Sequence, residues 1–154
     1  MNPPRRAPWI GLLAVTLTLV SGFTEAAVTC TISTTALAFG AYDPVLAHAT
    51  VPLDSLATVS YRCTGGNAAP AIAISAGTGS GFNPRRLFSG ANALTYNLFL
   101  DAGRTTVWGD GTNGTSIFSN TRNSDDVSVF GRVFAGQDAA IGSYSNAVVI
   151  TINF

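Results

Sequence analysis

The sequence contains no lysine and few charged residues of any kind. Charged side chains make up 10% of the 154 residues, and the formal net charge is zero. Without a basic excess, no patch is available to hold nucleic acid or an anionic lipid surface. We therefore expect no nucleic-acid partner. Solubility must come from hydroxyl and amide side chains, or from burial in an assembly.

Residues that carry catalysis or hold a ligand are also scarce. His48 is the single histidine, and its alanine neighbours favour a surface loop over a catalytic base. Ser75 lies in a stretch distantly like a nucleophile elbow, but the glycines and proline that follow cannot start a helix promptly. The glycine-rich loop 77–81 precedes no helix and lacks a lysine, so it predicts no phosphate site. We expect no enzymatic activity, no cofactor and no metal site.

The acidic and aromatic residues have structural interpretations as well. Segment 110–115 has oxygen ligands but only one carboxylate, too few for a calcium loop, so a hairpin turn is favoured. Asp125 and Asp126 are adjacent and point to opposite faces of a strand, which does not suit an acid–base pair. Trp108 is interpreted as a packing aromatic near a turn, with an exposed contact as the alternative.

Residues 1–26 have the pattern of a secretory signal peptide. Two arginines precede the apolar run 9–20, which is too short to span a bilayer comfortably. We predict cleavage after Ala26, with Ala27 as the second choice, and one mature domain at 27–154. A membrane anchor is the alternative. No second apolar run of membrane length follows, so we expect no membrane span in the mature chain.

The two cysteines of an exported chain predict one disulfide, between Cys30 and Cys63. Strand alternation places Cys30 on the same face as Val28 and Ile32, and Cys63 on the same face as Tyr61. Both sulfur atoms therefore point into the predicted core. A metal site is the alternative, but further ligands are missing.

Short apolar runs separated by turn residues indicate an all-β protein. Strands are predicted near 28–33, 36–40, 57–63, 70–76, 86–89, 94–101, 127–135 and 143–154. No segment of the mature chain keeps helical periodicity for three turns. We predict an immunoglobulin-like β-sandwich, with the long connections 41–56 and 102–125 as variable surface.

The chain ends on an alternating strand whose apolar side chains share one face. These are Tyr144, Val148, Ile150, Ile152 and Phe154. Nothing follows this strand to cover its open side, and unpaired main-chain groups are costly when buried. We therefore predict an incomplete sandwich that lacks its final strand. The five residues would form the acceptor edge for a strand added by another polypeptide.

Several short motifs, in a fixed order, resemble one known family, the spore coat protein U family. They are Cys30 with Phe39-Gly40-Ala41-Tyr42, Tyr61-Arg62-Cys63, Tyr96-Asn97-Leu98-Phe99-Leu100-Asp101, Trp108-Gly109-Asp110-Gly111, Val129-Phe130-Gly131-Arg132-Val133, and Gly142-Ser143-Tyr144 leading into 148–154. That family includes subunits of archaic, Csu-type chaperone–usher pili. The resemblance spans nearly the whole mature domain.

The resemblance implies an incomplete immunoglobulin-like fold that is completed in trans. A periplasmic chaperone lends a strand first. The amino-terminal extension of the next subunit then replaces it during export through an outer-membrane usher. The implied partners are the chaperone, the usher and other pilin subunits, and the implied location is a surface fibre or coat.

One feature departs from the family pattern. With cleavage after Ala26, only about three residues precede Cys30, too few to cross a sheet. Either 28–33 serves as both first strand and donor, or the chain accepts a strand and donates none, which predicts a terminal position such as a tip. A spore or cyst coat protein that forms no pilus and a carbohydrate-binding module remain the alternatives.

Overall fold

The computed structural model describes residues 27–79 and 81–154, so the predicted signal peptide lies outside the described residues. Eight strands follow one another: β1 (Thr29–Thr34), β2 (Leu53–Thr64), β3 (Ala71–Ile74), β4 (Arg85–Ser89), β5 (Asn92–Phe99), β6 (Phe118–Ser119), β7 (Ser124–Val133) and β8 (Ile150–Asn153). Within the described ranges the protein is all-β. No helix there is long and apolar enough to cross a bilayer.

The strands form two sheets that enclose one core. The larger sheet has the order β1-β2-β7-β5-β4 and the smaller has the order β6-β3-β8. Every strand pair is antiparallel. Alternate side chains of both sheets point inward, for example Val59 and Val129 from the larger sheet and Ile72 from the smaller. This architecture is consistent with the predicted immunoglobulin-like sandwich.

Two large polar-tipped side chains are fully buried between the sheets. The Trp108 indole Nε1 donates to the Ile72 carbonyl oxygen at 2.9 Å. The Arg85 guanidinium donates to the carbonyl oxygens of Ser75 and Trp108 and to Asn97 Oδ1. Burial lowers the pKa of Arg85 to about 10, so its charge persists at neutral pH. Because each buried donor is paired, the core tolerates both groups.

The predicted disulfide is present in the structure. Cys30 on β1 lies directly opposite Cys63 on β2, and the two sulfur atoms are bonded. Val28 and Ile32 pack against the core beside Cys30. The disulfide therefore fastens the first strand to its neighbour at the edge of the larger sheet.

Two predicted strands differ from what the structure contains. Segment 36–40 joins no sheet, and only Ile150–Asn153 of 143–154 forms a strand. The second difference has a geometric cause. Ser145 pairs with Phe88 of the larger sheet, whereas β8 pairs with β3 of the smaller one. The segment crosses between the sheets and cannot keep one continuous ladder.

Candidate functional site

An open apolar groove runs between two segments of the chain that lie mostly outside the sheets. One wall is segment 36–42, which follows β1, and the other is segment 139–150, which leads into β8. The groove has a wide part of about 870 Å³ and a narrow part of about 360 Å³. Leu37, Phe39, Leu87 and Asn146 line both parts, which shows that the two are continuous.

The floor of the groove is the hydrophobic core itself. Floor side chains come from both sheets: Leu53, Leu87, Leu94 and Val133 in the wide part, and Val59, Ile74, Leu98 and Val129 in the narrow part. Their order along β2, β5 and β7 sets the axis of the groove parallel to the strands. None of the described lining residues carries a charge. The groove is therefore an opening into the core, without the charged residues that usually guard a sheet edge.

The first wall has almost no hydrogen-bonding partner of its own. The Thr35 N–H donates to the Thr58 carbonyl oxygen at 3.0 Å, and the ladder then stops. Among the described residues, the main-chain N–H groups of 36–41 donate no hydrogen bond, and the one accepted bond there is from Ser55 Oγ to the Ala38 carbonyl oxygen. Unpaired backbone of this kind can pair with an added strand.

This wall depends on a glycine in β7. Leu37 and Phe39 lie so close over Gly131 that an added Cβ would stand 2.5 Å from Leu37 Cδ2 and 2.9 Å from Phe39 Cζ. The Phe39 ring in turn packs edge-on against Tyr96, with 5.9 Å between ring centroids. The bare backbone at Gly131 therefore lets segment 36–42 fold inward, away from the edge of β2.

The second wall is pinned at intervals and otherwise open. Ser145 exchanges two main-chain hydrogen bonds with Phe88, at 2.8 and 3.0 Å, and the Val149 carbonyl oxygen accepts from the Ser75 N–H at 2.9 Å. Between them, the main chain of 146–148 makes no hydrogen bond within the described part of the chain. β8 lies at the end of its sheet, with β3 on one side only. Its other edge has no strand beside it among the described residues.

A polar side chain, Asn146, positions the second wall. Asn146 Oδ1 accepts from the Thr78 N–H at 3.0 Å, and Nδ2 donates to the Tyr96 hydroxyl at 3.1 Å. Burial raises the pKa of Tyr96, which keeps its hydroxyl neutral and able to accept this bond. The Asn146 amide also packs directly on Gly77, whose φ of 86° favours glycine. Asn146 thus ties the final segment to the loop after β3.

The residues predicted as the acceptor edge lie in three different environments. Tyr144, Val148 and Ile150 line the groove. Ile152 packs against the core opposite Ile72 of β3. Phe154, expected on the inward face, is 56% exposed because β8 ends one residue earlier, at Asn153.

Sequence reasoning did not find the opposite wall. Leu37 and Phe39 alternate as a strand does, and this led to a predicted sheet strand at 36–40. The missing signal was the position of Gly131, which lies over ninety residues away in the chain. The anchoring role of Asn146 was also not predicted, because its partners are far away in the chain, in the loop after β3 and on β5.

The other candidate residues have structural contacts. His48 Nδ1 accepts from the Asp43 N–H at 2.9 Å, within one loop. The Asp110 carboxylate closes its own turn by accepting from Thr112. Trp108 is fully buried, so it offers no aromatic platform for a sugar. No cluster of three or more His, Cys, Asp or Glu residues able to hold a metal ion occurs in residues 27–79 and 81–154.

Comparison with known proteins gives one family. The model of the Spore Coat Protein U domain matches residues 14–151. Protein U of Myxococcus xanthus is 33% identical over 128 residues, covering 77% of this chain and 71% of that protein. Among solved structures, a chain of the CsuC–CsuE chaperone–tip adhesion subunit pre-assembly complex, from the archaic chaperone-usher Csu pili of Acinetobacter baumannii, matches with a TM-score of 0.56 and 19% identity. The match covers 83% of this chain and 40% of that one, and at this identity it shows a shared fold alone.

Proposed function

The chain belongs to the Spore Coat Protein U domain family, and from that membership we propose that it is an exported structural subunit of a surface pilus or coat. Its biochemical activity is to accept an extended strand from another polypeptide in the groove. This role is structural and adhesive, not enzymatic. It agrees with an uncharged groove that has no catalytic constellation among its lining residues.

One observation carries the proposal: two unpaired main-chain edges face each other across an apolar opening into the core. The edges are segment 36–41 on one side and segment 146–148 with β8 on the other. A guest strand between them would pair on both sides and place alternate side chains on the floor. The floor extends along β2 from Leu53 to Val59. A guest of roughly seven residues spans this length at about 3.3 Å per residue.

Such a guest supplies what the isolated domain lacks. Each large apolar side chain that it buries contributes about 1.5–3 kcal/mol. Main-chain groups that are now unpaired gain partners in the same step. We therefore expect the isolated mature domain to be poorly stable, and the strand-filled domain to be stable.

By analogy with the subunit in the Csu complex, the first guest would come from a periplasmic chaperone and the second from a neighbouring subunit. Assembly would then proceed through an outer-membrane usher, and the product would lie on the cell surface. The apolar groove requires such protection, because an exposed groove of this size invites aggregation. A coat without a pilus is the alternative, and it would use the same groove with a strand from another coat protein.

We further propose that this subunit is terminal and donates no strand. With cleavage after Ala26, three residues precede Cys30. All six residues of β1 pair with β2, and Cys30 is bonded to Cys63. β1 cannot leave its own sheet to fill a neighbour's groove while that disulfide stands. If purified mature protein released from its chaperone polymerises through its own amino terminus, the terminal position is wrong.

Filling the groove from within the same chain tests strand acceptance. A short turn after Phe154 followed by seven residues of alternating valine and threonine would return antiparallel to β8, with valine inward. The matched control has valine and threonine exchanged at every position, which turns every valine side chain to solvent. Both proteins are exported to the periplasm and compared by yield and thermal unfolding.

We expect the first fusion to be soluble and monomeric, with a melting temperature at least about 5 °C above that of the control, since a few kcal/mol gives a shift of this order. Equal stability of the two fusions would refute strand acceptance. So would a wild-type mature domain that is already a stable monomer and unfolds cooperatively at the temperature of the first fusion.

A further inference from the structure

Three exposed apolar side chains lie at the wide end of the groove, and we call them the collar: Val45, Leu46 and Ile141. They are 78%, 79% and 107% exposed. Val45 and Ile141 line the wide part of the groove from opposite walls, and Leu46 adjoins Val45. The collar therefore extends the apolar lining of the groove onto the outer surface. Contiguous exposed apolar surface of this kind marks a contact site.

The loop that carries Val45 and Leu46 is held in one shape. The Asp43 carboxylate accepts hydrogen bonds from the N–H groups of both residues at 3.0 Å. These bonds lower the pKa of Asp43, so the carboxylate stays ionised and the bonds persist. The His48 ring accepts from the Asp43 N–H and stacks on Tyr42, with 5.0 Å between ring centroids. A surface organised before contact loses little entropy on binding.

The direction of a guest strand determines what lies next to the collar. The final segment runs from the wide part of the groove, at 139–146, to the narrow part, where β8 starts at Ile150, and then continues towards Phe154. A guest that pairs with both walls is antiparallel to one and parallel to the other, because segment 36–42 runs from the narrow part to the wide part and segment 139–150 runs the opposite way. The second wall offers the longer regular edge, since 146–148 continues into β8, whereas the first wall is interrupted at Gly40, whose φ is 83°.

Antiparallel pairing is slightly more stable per residue than parallel pairing, so we expect it along the second wall. A guest antiparallel to β8 enters near Phe154 and leaves the groove at the collar. Its carboxyl end is therefore the end beside Val45 and Ile141.

From this geometry, and resting on the proposed strand acceptance, we infer that the collar binds the folded domain that follows the guest strand in the donor polypeptide. When the guest is an amino-terminal extension, the donor's domain begins at the point where the strand leaves the groove. The collar is the apolar surface at that point, and it is continuous with the groove. The complementary donor surface is apolar as well.

Site-specific photocrosslinking in the source cells tests this inference. A photoreactive phenylalanine analogue replaces Ala147 in the narrow part of the groove, Leu46 in the collar, or Ile117, an exposed apolar residue outside the groove lining, as control. We expect the Ala147 and Leu46 variants to capture the same polypeptide. Mass spectrometry should map the first adduct to its amino-terminal strand and the second to its folded domain. The Ile117 variant should not capture it.

Strand acceptance and the collar contact can each be refuted separately. Capture at Ala147 without capture at Leu46, or capture of a different molecule at Leu46, overturns the collar inference and leaves strand acceptance intact. No adduct at Ala147 overturns strand acceptance and the collar inference with it.

Binding measurements on a double collar variant, which combines Leu46→Ser with Ile141→Ser, give a second readout. The control protein carries Ile117→Ser. The captured donor should dissociate at least about tenfold faster from the double collar variant than from the control, since each buried apolar side chain is worth a factor of this order or more. A synthetic peptide of the donor strand alone should bind both equally. Equal donor dissociation from the collar variant and the control refutes a separate contact with the donor's domain. So does peptide binding to the collar variant that is weakened as much as donor binding.

Discussion

Substitution of Gly131 by alanine should collapse the first wall of the groove. The added Cβ would overlap Leu37 Cδ2 at 2.5 Å and the Phe39 ring at 2.9 and 3.0 Å, where ordinary contacts are 3.4–4 Å. The Leu37 tip can rotate, but the Phe39 ring is packed against Tyr96. Overlap of this size costs about 1–3 kcal/mol, and removal of a glycine from a strand returns about 0.5–1 kcal/mol. We expect a net loss of about 1–2 kcal/mol.

The assay is a double-mutant cycle with Leu37→Ala, measured by urea unfolding of the strand-fused protein. Because Leu37→Ala removes the closest overlapping atoms, Gly131→Ala should cost less than half as much in that background. Gly81→Ala is the matched control, since an added Cβ there meets nothing within 4 Å and it should change stability little. Strictly additive effects of Leu37→Ala and Gly131→Ala would refute the packing that we assign to this wall.

Three further outcomes follow from single contacts. Arg85→Met leaves buried carbonyl oxygens without a donor, so we expect a loss of at least about 3 kcal/mol in urea unfolding, and a loss under 1 kcal/mol would contradict the role of its hydrogen bonds. The Asp54 carboxylate accepts a hydrogen bond from Arg132 at 2.7 Å, and this bond is the main reason that the pKa of Asp54 is lowered from 3.8. Both side chains are partly exposed. Because the folded pKa is the lower one, this stabilisation exists above about pH 4 and disappears as the pH falls through the folded pKa. Asp54→Asn should cost about 0.5–1 kcal/mol at pH 7, and this cost should shrink steadily as the pH is lowered below about 4. Replacement of both Cys30 and Cys63 by alanine removes a crosslink between residues 33 positions apart. The chain-entropy model gives a loss of about 4 kcal/mol in the free energy of unfolding, and an unchanged melting temperature would contradict this stabilisation.

The two unpaired edges, which we propose to accept a strand, would explain why the groove of this domain carries no charge. An isolated sheet protein normally guards its edges with charge, proline or a covering loop. Here the described groove lining has none of the charged residues, and the ion pairs lie elsewhere, as between Asp54 and Arg104 on the outer face of the larger sheet. An edge without such protection is a liability in an isolated domain, and a partner strand that pairs with it removes that liability. The unguarded edges therefore support the proposed role in assembly.

Several features could be predicted from the sequence because they depend on short-range patterns. Alternation of apolar residues predicted β1, β3, β4, β5 and β7 close to their observed bounds. β2 starts at Leu53, before the predicted strand 57–63, and β6 was not predicted, so parts of the predicted connections 41–56 and 102–125 belong to strands. The same alternation placed Cys30 and Cys63 on inward faces, and an even cysteine count in an exported chain predicted their bond. The signal peptide at 1–26 stays a prediction.

Other features were decided only by the tertiary structure, because they depend on partners far apart in the chain. Alternation of apolar and polar residues shows which side chains face inward, but it does not show which neighbouring strand pairs with the segment by hydrogen bonds. The sequence therefore could not separate the paired strand β1 from the unpaired segment 36–41. The inward turn of that segment requires Gly131, and the position of the second wall requires Asn146 against Tyr96. Packing across the core, and not local propensity, leaves the groove open.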